Sequence, residues 1–378
     1  MKNKLLLSSA LVGSLIAGSA AYAQTSVTGN LAINYRAQEF KASNGAASTR
    51  GFGRESQINV SNKGSLNNGM TYAAGFSLEF DGNARNTQDN IGAQSMVSGT
   101  EQNTISNENL YIDFISGTTT LTVGVDHIQN ITTDSIPQVL PVMDNVSAGI
   151  GGKATNTVGA NPKEAFGVGI VQVIPGTGLT ASALYVPKNG DYGAGDQNAP
   201  MSGTNTKNVQ LGTEDGVAAV DGARNSAYEL GVAGSNVFGV NGLAVRAFLN
   251  REESMTSAVP NLNGSHYGAS YTRGPVAVGA SKHKQNRTAG TSAVDANQST
   301  KSYGLTYAAT KDITVGVAHL RTDLSNTTLT EKITSYQVGY NLGPVGVAFA
   351  YSDIKDLGAT SATGADAKEL QLRLTTNF

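Results

Sequence analysis

Three features of the sequence predict an all-β fold, a transmembrane antiparallel β-barrel of about 16 strands. Most of the chain divides into short segments in which apolar and polar residues alternate, with turn residues between the segments. The last segment ends on an aromatic residue, and an apolar run near the other terminus has the form of an export signal. A sheet with one face toward lipid and the other toward water explains the alternation.

The terminal segment, residues 368–378, shows this alternation most clearly. Apolar or small residues occupy one parity and polar residues occupy the other, as in Leu370, Leu372, Leu374, Thr376 and Phe378 against Glu369, Gln371, Arg373, Thr375 and Asn377. At a period of two residues this pattern gives a strand with one apolar face. Chain ends of water-soluble domains more often fray into polar residues, so a final Phe378 on the apolar face favours a membrane strand.

The opposite end of the chain predicts export. Lys2 and Lys4 precede an apolar run over residues 5–17, and Ala21-Tyr22-Ala23 follows as a small-x-small cleavage site. We therefore expect residues 1–23 to be a cleaved signal peptide and residues 24–378 to form one barrel domain. No later segment approaches the roughly 18 consecutive apolar residues of a membrane-spanning helix.

Taken in order, the alternating segments place 16 expected strands, an even number as in bacterial single-chain barrels. The expected strands lie near residues 26–38, 55–63, 70–80, 107–115, 119–126, 165–173, 178–186, 226–233, 242–251, 265–272, 276–284, 301–309, 313–322, 334–341, 345–352 and 368–378. Short connections alternate with long polar ones, which are expected over residues 81–106, 127–164, 187–225, 285–300 and 353–366. Membrane barrels have short turns on the periplasmic side and long loops outside the cell.

Composition excludes several other classes of protein. The chain of 378 residues has no Cys, so disulfide frameworks, thiol catalysis and cysteine metal sites are absent. The net charge is -2, and it becomes more negative without Lys2 and Lys4, so nothing indicates a nucleic-acid partner. The four histidines, His127, His266, His283 and His319, have no metal-ligand spacing in the sequence. We expect no cofactor, no metal and no enzymatic activity.

The complete pattern resembles the 16-stranded general diffusion porins of the Gram-negative outer membrane. The resemblance covers the mature chain through its export signal, strand number, alternation of loops and terminal Phe378. It implies a homotrimer among lipid and lipopolysaccharide, inserted by the barrel-assembly machinery, which reads the terminal strand as an assembly signal. It also implies that the third long loop, residues 127–164, folds into the lumen and narrows the pore. The apolar run Ile136–Met143 departs from the family's polar eyelet.

Parity and the resemblance together select pore-lining candidates. Arg36 and Arg373 lie on the inward parity of the first and last strands, so closure of the barrel makes them neighbours. We expect them to form a basic wall opposite the loop carboxylates Asp134 and Asp144, or else only to hydrate the wall. Inward acids are a second set, expected to pair with lumen cations: Glu79, Asp113, Asp126 and Glu229.

Small residues on the inward parity predict an open, water-filled lumen, as at Gly75, Ser77, Gly124, Gly231, Gly268, Ser270, Gly304, Gly339, Gly346 and Ala348. Tyrosines near strand ends on the outward parity predict an aromatic girdle at the lipid interface. The leading interpretation is passive diffusion of small hydrophilic solutes and ions. The alternatives are a substrate-selective channel, or a plugged barrel with a structural or surface-recognition role.

Overall fold

The computed structural model describes residues 24–41, 47–79, 106–125, 136–140, 167–186, 224–254, 261–288, 297–325, 328–356 and 366–378. Sixteen strands form a single sheet: β1 Gln24–Lys41, β2 Ala47–Ser65, β3 Thr71–Glu79, β4 Ser106–Ser116, β5 Thr119–Val125, β6 Gly167–Ile174, β7 Leu179–Val186, β8 Arg224–Ser235, β9 Leu243–Ser254, β10 Asn261–Arg273, β11 Val276–Thr288, β12 Gln298–Ala308, β13 Ile313–Leu324, β14 Thr330–Asn341, β15 Val345–Lys355 and β16 Asp366–Asn377. Each strand pairs antiparallel with its sequence neighbours, and β1 pairs with β16. The predicted closed barrel and its strand number are confirmed.

The two faces of the wall follow the alternation in the sequence. On β15, Val345 and Phe349 point outward and are exposed, whereas Ala350 and Ser352 point into the barrel and are buried. Successive side chains of a strand point to opposite faces, so the same division repeats around the barrel. Apolar exposed side chains on the outer face are what a lipid environment requires.

Closure of the barrel depends on the first and last strands. The β1–β16 register runs from Asn30 opposite Asn377 to Lys41 opposite Asp366. Beyond it, the Gly29 amide donates to the Phe378 carbonyl over 2.8 Å, and the Phe378 amide donates to the Gly29 carbonyl over 2.9 Å. The phenyl ring lies where a Cβ on Gly29 would be. This seam leaves no unpaired edge on the sheet.

The predicted short connections all lie at one end of the barrel, which we call the turn end, and the opposite end is the loop end. The β4–β5 turn is formed by Gly117 and Thr118, and Gly117 has a φ of 58°, which favours glycine. A single 3-10 turn, Val237–Gly239, joins β8 to β9. No helix among the described residues is long and apolar enough to cross a membrane.

Several strands extend farther toward the loop end than the sequence predicted. β14 begins at Thr330, where the prediction began at residue 334, and β11 and β15 end at Thr288 and Lys355. On β13–β15 near this end the inner face carries Leu320, Ile333 and Ile354, and the outer face carries Arg321, Lys332 and Lys355, so the expected phase of alternation is lost there. Backbone pairing continues through the change, because ladder hydrogen bonds do not depend on side-chain polarity.

Candidate functional site: the lumen and its third loop

Residues 136–140 of the third long loop lie inside the barrel against the wall. The Gln337 side chain on β14 holds this segment at both amide atoms. Its Oε1 accepts from the backbone amides of Val139 over 2.6 Å and Leu140 over 3.1 Å, and its Nε2 donates to the Leu140 carbonyl over 2.7 Å. Ile136 and Leu140 are buried. The prediction that the third loop folds into the lumen is confirmed for these residues.

Glycines on four adjacent strands form the surface that receives the loop, which we call the glycine seat. Its members are Gly279 on β11, Gly304 on β12, Gly316 on β13 and Gly339 on β14. A Cβ on Gly279 would lie 2.7 Å from Pro137 Cδ, and a Cβ on Gly339 would lie 2.8 Å from Val139 Cγ1. Real Cβ atoms do not approach so closely, so the loop contacts the wall at a distance that only glycine permits.

The register brings the two predicted arginines close together along the seam. Arg36 pairs with Gln371, and Asn34 pairs with Arg373, so the two arginines occupy diagonal positions on one face. Asn34 is buried, which identifies this as the inner face. The Arg36 side chain lies outside the described residues, and Arg373 is partly buried. The structure therefore gives the backbone positions of the two arginines. Their role as a basic wall remains a prediction.

The predicted acids have different positions. Asp113 is buried on the inner face of β4 and accepts a hydrogen bond from the Thr122 hydroxyl over 2.6 Å. Glu79 pairs with Gln57 on the inward parity of β3, although its side chain is outside the described residues. Asp126, Asp134 and Asp144 are also outside them. Whether the loop carboxylates face the arginines stays a prediction.

The inward glycines have a different effect from the one expected. Gly231 makes room for the Phe248 ring, and a Cβ on Gly75 would lie 2.8 Å from Tyr111 Cε1. The small residues at these positions therefore accommodate neighbouring rings, and at the glycine seat they accommodate the loop. Parity gives the direction of a side chain but not the size of its neighbour on the next strand, so the sequence could not show this filling.

Two histidines on neighbouring strands face each other on the inner side of the barrel. His266 on β10 and His283 on β11 are direct register partners, and both are buried. Their ring nitrogens approach to 2.8 Å and 3.0 Å, which is hydrogen-bond distance. Within the described ranges, no group of three or more His, Cys, Asp or Glu residues forms a metal-binding cluster.

The outer face carries the predicted tyrosines. Seven of them have more than a third of their surface exposed: Tyr185, Tyr267, Tyr271, Tyr303, Tyr307, Tyr336 and Tyr340. Tyr336 also pairs directly with Tyr351 across β14 and β15. Amphipathic rings at these outward positions suit the boundary between hydrocarbon and headgroups.

Comparisons with known proteins agree with this architecture. The family model described as Gram-negative porin matches residues 8–328. An anion-selective porin from Comamonas acidovorans superposes with a TM-score of 0.60 at 12% identity, covering 94% of this chain and 100% of that one. OmpT of Vibrio cholerae, an outer-membrane protein lacking its loop L8, gives 0.58 at 12% identity, covering 94% and 99%. A Rh. blastica porin mutant gives 0.52 at 14% identity, covering 94% and 100%.

No curated protein matches the chain in sequence. The structural similarities, at low identity, show the fold, and the family model identifies the kind of protein. The closed barrel of 16 strands, its apolar outer face and its inward third loop are the features of a diffusion channel. The chain therefore belongs to the Gram-negative porins, channels of the bacterial outer membrane.

Proposed function

We propose that the barrel conducts small hydrophilic solutes and ions passively, through a pore that is narrowed by residues 127–164. The observation that supports this most strongly is the set of hydrogen bonds from the Gln337 side chain to Val139 and Leu140, which we call the clasp. Three hydrogen bonds connect one buried side chain to the backbone of Val139 and Leu140, and the glycine seat lies directly beneath. A loop fixed in this way narrows the lumen to a constant width.

The proposed electrostatics of the constriction combine the loop carboxylates with the seam arginines. Asp134 and Asp144 flank the held segment in sequence, and Arg36 and Arg373 share the inner face at the seam. Opposite charges across a narrow aqueous gap produce a transverse field that orients passing solutes. Glu79, Asp113 and Asp126 would add negative charge to the wall on the β3–β5 side.

The test removes residues 134–148 and measures single-channel conductance in a planar bilayer. We expect higher conductance and weaker size exclusion, because the deletion includes the whole segment that covers the glycine seat. Replacement of the β2–β3 turn residues 67–69, which lie at the turn end, is the control and should leave conductance unchanged. Unchanged conductance in a correctly folded deletion variant would show that residues 134–148 do not limit the flow of ions.

Charge selectivity is tested at the seam. Neutralising both arginines with R36Q/R373Q should move the reversal potential toward cations, because a fixed positive wall attracts anions. The structurally similar Comamonas acidovorans protein is an anion-selective porin, which is consistent with a basic wall in this chain. If the reversal potential of the double variant matches that of the parent, the two arginines do not form the selective wall.

A second candidate function is supported by the filled parts of the lumen. Phe248, Leu184 and Val186 form apolar contacts on the inner wall, and such surfaces suit a selective or plugged channel better than a wide one. Solute titration during conductance measurements separates these possibilities. Saturable block by one class of solute would indicate a substrate-selective channel, and absence of current from folded barrels would indicate a plugged one.

The proposed partners are two further copies in a homotrimer, lipopolysaccharide and other lipid around the barrel, and the barrel-assembly machinery. Phe378 is the proposed assembly signal, because its backbone completes the seam with Gly29 and the residue as a whole is 64% exposed. Deletion of Phe378 should prevent accumulation of heat-modifiable barrel in the outer membrane. Normal accumulation of the deletion variant would assign the signal to other residues.

A further inference from the structure

Five basic residues form an unbroken row on the outer face of the barrel, which we call the cation row. They are direct register partners across consecutive strands: Lys282 on β11, Lys301 on β12, Arg321 on β13, Lys332 on β14 and Lys355 on β15. Directly opposed residues have Cβ atoms about 4.5–5.5 Å apart. The row therefore contains four successive contacts between side chains of like charge.

Acidic neighbours compensate only part of this charge. Arg321 lies 3.3 Å from Asp323, and Lys355 lies 2.8 Å from Asp366 and 3.9 Å from Asp353. In the part of the chain that the structure describes, no carboxylate lies within 4.0 Å of the ammonium groups of Lys282, Lys301 or Lys332. Asp323 also interacts electrostatically with Lys301 at a longer distance. Like charges opposed across a sheet are destabilising, so the net positive charge of the row would be stabilised by an anion from outside the chain.

The depth of the row relative to the tyrosines places it at the lipid headgroups. Tyr267 pairs directly with Lys282, and Tyr303 lies two residues from Lys301 on the turn-end side. Tyr336 lies four residues from Lys332 on the same side. The row thus rises obliquely from the level of the aromatic girdle toward the loop end. This range of depths corresponds to the polar layer just outside the hydrocarbon.

Other strands show that the row is a local feature. Strands β3–β7 contain no Lys or Arg at any described position, on either face. Across that sector the outer face consists mainly of apolar and neutral side chains, such as Ile112, Leu121 and Ile170. A general requirement for solubility would have distributed the basic residues around the barrel.

We propose that the cation row binds the phosphate groups of anionic lipid headgroups in the outer leaflet. Ammonium and guanidinium groups form charge-assisted hydrogen bonds with phosphate oxygens, and Arg321 can do so with two parallel bonds. A phosphate bound between two adjacent cations would replace their mutual repulsion with attraction of both cations to the same anion, and the row has four such pairs. The proposal names the residues for one partner given under the proposed function, and it depends on the outer-membrane location but not on the behaviour of the pore.

The experiment compares two double variants that each remove two positive charges from the same sector. K301Q/K332Q neutralises both neighbours of Arg321, and R273Q/K311Q neutralises exposed positions at the turn end. Each protein is placed in phosphatidylcholine nanodiscs with or without diphosphorylated lipid A. The measurements are the dissociation constant for the added lipid and the midpoint of thermal unfolding.

We expect the unfolding midpoint of K301Q/K332Q, relative to the parent, to differ in direction between the two lipids. In phosphatidylcholine alone, K301Q/K332Q should unfold at or above the parent midpoint, because repulsion has been removed. With lipid A it should unfold below the parent, and its affinity should fall about fivefold for each cation removed. The R273Q/K311Q control should match the parent in both lipids. If Lys301 and Lys332 were needed only for folding, K301Q/K332Q would have a lower unfolding midpoint than the parent both with and without lipid A.

Four results would overturn the proposal. They are parental affinity of K301Q/K332Q for lipid A, an equal loss of affinity in R273Q/K311Q, the same stabilisation of the parent by inorganic phosphate alone, and dissociation of oligomers by K301Q/K332Q in phosphatidylcholine. The last result would make the row an interface between copies. Single-channel conductance, measured on the same variants, should remain parental, so failure of the channel proposal would be seen separately.

Discussion

Strands β13–β15 contain two regions of opposite polarity. Toward the turn end their outer face is apolar and their inner face is small or polar, as at Val315, Val338 and Phe349 against Gly316, Gly339 and Ala350. Toward the loop end the outer face carries Arg321, Lys332 and Lys355, and the inner face carries Leu320, Ile333 and Ile354. These inner residues are themselves direct partners and are almost fully buried.

The difference shows which environment determines each part of the wall. In the first region lipid selects the outer residues, and water and the loop select the inner ones. In the second region the outer residues are charged and, as proposed above, face headgroups and water, while the inner residues are almost fully buried by protein. A continuous ladder of backbone hydrogen bonds joins the two regions, so the inversion is a property of side chains alone.

The largest expected effect comes from the inner residues of the second region. Ile333→Ala removes most of a side chain that is 0% exposed, and we expect the free energy of unfolding to fall by about 2–5 kcal/mol. Urea unfolding in lipid vesicles measures the change. Val315→Ala, on the outer face of the first region, is the control and should have a smaller effect because lipid fills the space. Equal losses of unfolding free energy in the two variants would show that Ile333 is not packed against protein.

A slightly smaller effect is expected when a charge enters the first region. Val338→Arg places a guanidinium on a lipid-facing position that is 44% exposed, at a cost of about 2–4 kcal/mol near the bilayer midplane. Lys332, on the same face of the same strand, supplies the matched control, and Lys332→Arg should be neutral. The same unfolding measurement applies. A neutral Val338→Arg would mean that this part of β14 does not contact hydrocarbon.

The smallest effect on stability, with the clearest effect on current, is expected at the clasp. Gln337→Leu keeps the approximate size but leaves the amides of Val139 and Leu140 without their acceptor, at a cost of about 1–3 kcal/mol. Open-channel noise should increase as residues 136–140 leave the wall. Gln285→Leu, another buried inner glutamine on β11, is the control. Parental noise in Gln337→Leu would show that the glycine seat holds the loop without the clasp.

Much of this organisation could be predicted because the two faces of a membrane strand appear in the sequence as alternating apolar and polar residues. The 16 strands follow from alternation and turn residues, and the resemblance to general porins implied the closing of β1 on β16 and the inward third loop. The strand ends near the cation row were harder to predict. There the apolar residues change faces, as from Val338 to Ile333 on β14, and a rule based on one fixed phase ends the strand too soon.

The contacts that hold the loop could not be predicted for a different reason. Gln337 looks like any inward polar residue in the sequence, and its role depends on Val139 and Leu140, almost two hundred positions earlier in the chain. The pairing of His266 with His283 likewise depends on the β10–β11 register. Each of these contacts results from tertiary geometry, which local alternation does not contain.

The seam between Gly29 and Phe378 also constrains how the protein is made. Among the 16 described strands, every other pairing joins neighbours in sequence, and only the pairing of β1 with β16 joins strands that are distant in the chain. Loop-closure entropy makes such a distant pairing slow, and β16 is synthesised after the other 15 strands of the barrel. Until that moment β1 and the newest strand are both open edges, which attract other chains. Closure of the barrel must therefore wait until β16 has been synthesised, and a chain interrupted before β16 cannot form this seam.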